Sequence, residues 1–274
     1  MKRFLSIFQV ILFLLTTTAC SPQPPTEKPW TIVQEKAIVF SDGQYADLWK
    51  PEFGIWEEYR LPDGQVILQV QEPVGPDNSI TAGVESLNDL KEPARQTILD
   101  YYEKQGILYD LQAELKKAYE AYGKSKETGE KFQAVTLNQT VSPTACGDEF
   151  IAFLTSVTVP AGIQEQEELR LGAVFDRNTG EKLDIWTLFS IPKEEAIENL
   201  LDIAGIKEPG LRNEIKAAIK PEYLLFFPEN LEICFPKGTL KSQDTAYCLG
   251  FSYKELEEIL TLQPFHTEKS HQPQ

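Results

Sequence analysis

Apolar residues along the chain follow two different rhythms. Leu87, Leu90, Ala94, Ile98 and Tyr101 or Tyr102 recur at steps of three and four. Leu108, Leu111, Leu115, Ala118 or Tyr119, and Tyr122 do the same. Those steps predict two amphipathic helices. The second series stops at Tyr122, and Gly123 to Gly129 reads as a polar break, so a coiled coil is not expected. Before the helices, Ala37 to Phe40 reads as a strand and Ser41 to Gln44 as a turn. Gly54 to Gln71 reads as a hairpin around Pro62-Asp63-Gly64. After the helices the rhythm becomes that of strands. Phe132 to Val141, Phe150 to Val159 and Leu169 to Phe175 are rich in Val, Thr and aromatics, which suit a pleated, half-buried surface.

Further on, Arg177-Asn178-Thr179-Gly180 predicts a tight turn, and Leu183 to Phe189 continues extended. Pro192 opens a helix through Ile203, and Leu211 to Ile219 is a second. Tyr223 to Phe227 and Leu231 to Phe235 flank a Pro228-Glu229-Asn230 turn, and Tyr247 to Phe251 is the last strand. Ser252 with Glu255 matches a capping box, which predicts a closing helix through Leu260. The order of elements is that of an α+β fold, an antiparallel sheet with packed helices. No internal repeat appears.

The amino terminus follows neither rhythm. Met1-Lys2-Arg3 is cationic, and Phe4 to Leu15 is apolar except for Ser6 and Gln9. A run of about 12 residues is too short to span a bilayer as a helix, which takes about 20. It fits the apolar core of a secretory signal. Thr17-Thr18-Ala19-Cys20 resembles a lipobox, so Cys20 is the expected lipidation site. An ordinary signal peptide cut near Ala19 is the alternative. Ser21 to Thr26 is Pro-rich and reads as a semi-extended tether. The expected organisation is a lipoprotein signal peptide over 1–19, a lipidated Cys and tether over 20–30, strands and helices over 31–130, an α+β domain over 131–262 and a disordered tail over 263–274. The expected location is extracytoplasmic, anchored to the bacterial cell membrane.

The formal charge is −16, and cleavage before Cys20 would remove Lys2 and Arg3 and no acid, taking it to −18. An acidic surface disfavours nucleic acid and favours cationic partners. Solubility of an exported chain is the plainer account of that charge. Beyond Cys20 the chain holds Cys146, Cys234 and Cys248. Three thiols cannot all pair internally. Cys234 and Cys248 flank a polar loop between two strand-like runs and are the expected disulfide. No metal site or other cofactor is expected: there is no CxxC, and His266 and His271 lie in the tail.

That placement also leaves no base for a Ser-His-Asp or Cys-His arrangement, so no catalytic residue is assigned. Adjacent acids occur at Glu57-Glu58, Glu167-Glu168, Glu194-Glu195 and Glu257-Glu258. Paired carboxylates could serve a glycosidase, although solvated faces account for them as well. Trp30, Trp49 and Trp56 cluster with Tyr45 and Tyr59 and would suit glycan or protein recognition, with core packing the simpler reading.

Phe132 to Leu260 resembles the RsiV-type extracytoplasmic domain, which occurs in ectodomains of lysozyme-sensing anti-sigma factors and beside peptidoglycan deacetylase domains. Leu171 to Leu183 is similar to that family's strand, turn and returning strand. Asp184 to Phe189 follows it as in the family. Tyr223 to Pro236 resembles its hairpin ending in Phe-Pro, and Leu249 to Leu256 its closing strand. Ala161-Gly162-Ile163-Gln164 stands where a Gly-Gly-Ala-His-like stretch is common. The chain opens on its signal, so an anti-sigma role is not expected. The resemblance implies a non-enzymatic binding or sensing module at the envelope, with a cationic protein or a cell-wall glycan as partner. A cell-wall hydrolase or its accessory subunit is the alternative.

Overall fold

A computed structural model describes residues 30–51, 55–163 and 165–261. Cys20, the signal, the tether and the tail from 263 lie outside the described residues.

The fold is α+β. Four strands open it: β1 (Trp30–Val39), β2 (Tyr45–Pro51), β3 (Trp56–Arg60) and β4 (Val66–Gln71). Two helices follow, α1 (Ala94–Gln105) and α2 (Leu111–Thr128). Then come three long strands, β5 (Val135–Cys146), β6 (Phe150–Gly162) and β7 (Glu165–Asp176). The seven strands form one sheet in sequence order. Every neighbouring pair is antiparallel except β4 and β5, which run parallel. The expected antiparallel sheet with packed helices is present, with this one parallel pair making it mixed. The cause is the helix pair. Parallel neighbours need a long crossover, and α1 with α2 supplies it.

The crossover places both helices on one face of the sheet. Under α2, Leu115, Ala118 and Tyr122 meet Leu48, Tyr59, Leu68, Val135 and Leu137. Under α1, Ile98 and Tyr102 meet Val141, Phe153 and Phe175. Tyr102 packs its ring edge-on against Tyr101 and Phe153. The opposite face of β5 to β7 is covered by the rest of the chain: α3 (Lys193–Ile203), α4 (Pro209–Ala218), β8 (Leu224–Phe226), β9 (Asn230–Phe235) and β10 (Tyr247–Ser252). The last three strands make a second, antiparallel sheet. Phe150, Ala152 and Val174 pack against Leu224, Phe226 and Phe235. A bulge between Pro143 and Ala145 shifts the alternation of β5 by one residue. So Ala145 joins this second core while Cys146 stays under α1.

Gly172 lets the two sheets meet closely. A Cβ there would lie 2.3 Å from the carbonyl oxygen of Leu224. Cys234 and Cys248 are paired residues of β9 and β10 and are joined as a disulfide. Cys146 is buried and unbridged.

Local differences from the sequence reading have physical causes. β2 carries no strand signal in the sequence, because among its described side chains only Ala46 and Leu48 are buried and Lys50-Pro51 ends it. α1 starts after Pro93, with Leu87–Asp89 a separate 3-10 turn. α2 runs past Tyr122 to Thr128, where Gly129 closes it at φ 72; Lys124, Lys126 and Glu127 are good helix formers despite being polar. Ile185–Leu188 is a 3-10 turn instead of a strand, because the Asp184 carboxylate accepts from the Trp186 amide at 3.2 Å. The expected closing helix is a series of turns. Its capping bond exists, Ser252 N to Glu255 Oε2 at 2.8 Å. Past it, the backbone bonds instead to the segment before α3: Ser190 N donates to Ile259 O and Thr261 N to Leu188 O, both at 2.8 Å.

Gly172→Ala should destabilise the chain by about 1–3 kcal/mol, because backbone of β8 must retreat. Urea unfolding measures it, and an unchanged midpoint would contradict the close packing.

Candidate functional site

The junction of the two helices builds the site. Gln139 on β5 lies between Leu137, in the core under α2, and Val141, in the core under α1. It is buried at 5 % exposure. Its side-chain oxygen accepts from the Leu108 amide at 2.8 Å, and its nitrogen donates to the Gly106 carbonyl at 2.9 Å. A buried amide must find such partners or lose about 1–3 kcal/mol, so the two bonds fix the α1–α2 loop in place. Asp110 then caps α2, accepting from the Gln112 amide at 2.9 Å.

Held this way, Ile107, Tyr109 and Leu111 form one wall of an open groove of about 450 Å³. The other wall comes from the ends of β2, β3 and β4: Lys50, Trp56, Glu57, Val70 and Gln71. Ile55 and Ile107 stand exposed at its rim, at 52 % and 58 %. Lys50 and Glu57 form an ion pair within it. A second groove of similar volume, lined by Val74, Leu99 and Val141, shares Pro73 and Ile107 with the first.

The groove's charge is local and ordered. Burial pushes the Tyr59 hydroxyl up to about 12, with the Glu57 carboxylate and Tyr109 adding to it. Burial and then Glu57 raise Tyr109 as well. Both tyrosines therefore stay neutral donors beside an acid already matched by a lysine.

Strand alternation separates the adjacent acids of the sequence. Glu57 faces the groove, whereas Glu58 lies on the opposite face, accepting from Arg60 and Gln69. Glu167 pairs with Lys237, and Glu168 accepts from Ser156. Among the described residues every displaced carboxyl is held below its usual range, and each serves a turn, a cap or a surface pair. Asp176 and Glu208 are held by backbone amides, Asp89 and Glu255 by serines, Glu198 by Lys216 and Arg212, and Asp42 by Tyr119.

The expected aromatic cluster divides too. Trp56 shares the Glu58 face of β3 and borders the groove at the strand end, Tyr59 is core at 2 % exposure, and Trp49 lies under the Arg60 guanidinium at 4.7 Å. The side chain of Trp30 lies outside the described residues. Tyr109 and Ile107 carried no sequence mark of a site; Tyr109 falls inside the second predicted helical series, which begins at Leu108, whereas α2 begins at Leu111. Among the described residues no group of three His, Cys, Asp or Glu is placed to hold a metal ion. No helix among them is long and apolar enough to cross a membrane.

Raised tyrosines make stability fall with alkali. For Tyr59 the unfolded chain ionises near pH 10 and the folded one near 12, so its contribution is intact below pH 10 and drains between about 10 and 12, by at most about 1.4 kcal/mol per pH unit; Tyr109 acts in the same direction. Glu57→Gln should lower the Tyr59 titration only part of the way, since burial is the larger cause. Ultraviolet difference titration checks both, and a full return to the ordinary tyrosine value would contradict the burial.

No family model matches the chain, and no curated protein matches it. Among solved structures it is similar to a DUF3298 family protein from Pseudomonas aeruginosa PAO1, at 14% identity and a TM-score of 0.36, over 87% of this chain and 97% of that one. It is also similar to a DUF3298 family member from Bacteroides fragilis NCTC 9343, at 8% identity and a TM-score of 0.35, over 85% of this chain and 94% of that one.

Proposed function

We propose that the chain is an extracytoplasmic lipoprotein, anchored through Cys20, that acts as a non-enzymatic binding or sensing module at the cell envelope. Its recognition surface is the groove between Tyr109 and Glu57. The observation that carries this reading is the groove itself. Half its wall is apolar, its polar groups are few and ordered, and it rests on the rigid sheet by the Gln139 bonds. Sites of that kind, at the meeting of separate packing units, are where ligands bind. The turned-apart acids favour binding over hydrolysis by paired carboxylates. The signal-like amino terminus and the RsiV-type resemblance support a place outside the cytoplasm.

A cationic protein is a second partner class, favoured by the charge of −16. Attraction of that kind acts at a distance and is screened by salt. Binding to a lysozyme should weaken steeply between low and physiological salt, and no binding at low salt would remove that partner.

Cys20→Ser should move the protein from the membrane pellet to the soluble fraction; retention in the pellet would remove the anchor. Isolated cell-wall sacculi should retain the wild-type protein, and Ile107→Asp, at an exposed position, should abolish retention with circular dichroism unchanged. Equal retention of the variant would place recognition elsewhere.

A further inference from the structure

We infer that the Cys234–Cys248 disulfide is a thiol-exchange site, opened by a thiolate that attacks Cys248 and expels Cys234 beside Arg170. The two sulfurs have unlike surroundings. Cys234 lies on the middle strand of the second sheet and is buried, at 4 % exposure. Cys248 lies on the outer strand, β10, and is exposed. It also lines an open groove of about 770 Å³ between β7 and the loop joining β9 to β10. Exchange proceeds through three sulfurs in line, at the sulfur that the attacker can reach. The bond runs across the strand pair from β9 to β10. Its extension past Cys248 therefore leaves the sheet at an edge where no further strand pairs. Attack on Cys234 would have to come from inside the sheet.

The departing sulfur is provided for as well. Arg170 Nη1 lies 3.4 Å from Cys234 Sγ. A cation beside a thiolate lowers its pKa and makes it the better leaving group. Glu232 pairs with that guanidinium at 2.8 Å, and its Oε2 lies 3.6 Å from the same sulfur. The attacking thiolate bonds to Cys248 Sγ, the Sγ–Sγ bond breaks, and its electron pair goes to Cys234 Sγ. Cys234 then takes a proton from solvent, and the thiol can donate to Glu232. A second thiolate displaces Cys248 from the mixed disulfide. The attacking thiols leave as a disulfide, and the chain keeps the two electrons as a dithiol.

The frame around the bond does not depend on it. Tyr247 to Ser252 pair with β9 along the whole of β10. In the intervening loop Leu240 is buried in the second core, and Ser242 donates to Glu214. The two sulfurs therefore stay adjacent once reduced, and the bond can re-form. Cys146 is buried under α1 and takes no part. The attacking thiolate can belong to a dithiol redox protein or to a small thiol, since both supply the same nucleophile.

The full chain, purified in detergent, is incubated with reduced glutathione or with a thioredoxin lacking its resolving cysteine, then alkylated and mapped by mass spectrometry. The mixed disulfide is expected on Cys248, with Cys234 alkylated. An adduct with glutathione alone assigns the site to small thiols, and one with the thioredoxin assigns it to a dithiol protein. An adduct on Cys234, or none with either probe, would overturn the site. Arg170→Gln should slow adduct formation about three- to ten-fold, and an unchanged rate would overturn the part given to the guanidinium. Glu232→Gln keeps the cation and should not slow the reaction; it keeps the test valid if the arginine variant misfolds, and a slower rate would count against the assignment. After full reduction with dithiothreitol, β9 and β10 should keep their amide hydrogen-exchange protection and the bond should return on dialysis. Loss of that protection would make the disulfide a structural staple and overturn the exchange site.

Discussion

One buried side chain holds the proposed recognition groove in shape. Gln139 sits where an apolar residue would merge the two cores under α1 and α2, and it bonds to the backbone between those helices instead. The bonds are worth about 1 kcal/mol each in net stability. Their larger effect is geometric, because breaking either leaves a buried amide unsatisfied. The α1–α2 loop is therefore pinned to β5, and Ile107 and Tyr109 are presented at a fixed place over the ends of β3 and β4. The groove depends on this attachment more than on any residue that lines it.

The attachment in turn depends on topology. α1 and α2 form a crossover between parallel strands, so their junction must pass over the sheet near the β4–β5 pair. The same crossover leaves the opposite face of β5 to β7 free for the second sheet, which approaches closely at Gly172. One strand trio thus carries a core on each face. The bulge before Ala145 reconciles the two by moving Ala145 to one side and Cys146 to the other. The sheet is continuous across the expected division near residue 130, since β4 pairs with β5 there.

Much of this was legible where the physics is local. The hairpin at Pro62-Asp63-Gly64, the helix rhythm read from Leu108 and realised from Leu111, and the turn at Gly180, with Asp176 accepting from two amides and φ at 74, all follow from nearest neighbours. The errors fall where distant contacts win. Leu256, Ile259 and Leu260 were drawn out of a helix by packing against the second core. The parallel pair could not be read, because a strand's pattern is blind to the direction of its neighbour. The site was legible only in fragments. Trp56 and Glu57 stood out by composition, whereas Tyr109, Ile107 and Gln139 gain their roles from a loop position that only the fold defines. Strand alternation, known in advance, was enough to separate Glu57 from Glu58.

The central claim is that a residue outside the groove builds it. Gln139 does not line the groove, so its replacement by Leu removes no ligand contact. The affinity of Gln139→Leu for isolated cell-wall sacculi tests this most directly, with tertiary circular dichroism as the check on folding. The account predicts a folded protein whose affinity falls about ten-fold or more, as the loop leaves its place. A folded variant that binds as tightly as the wild type would contradict it.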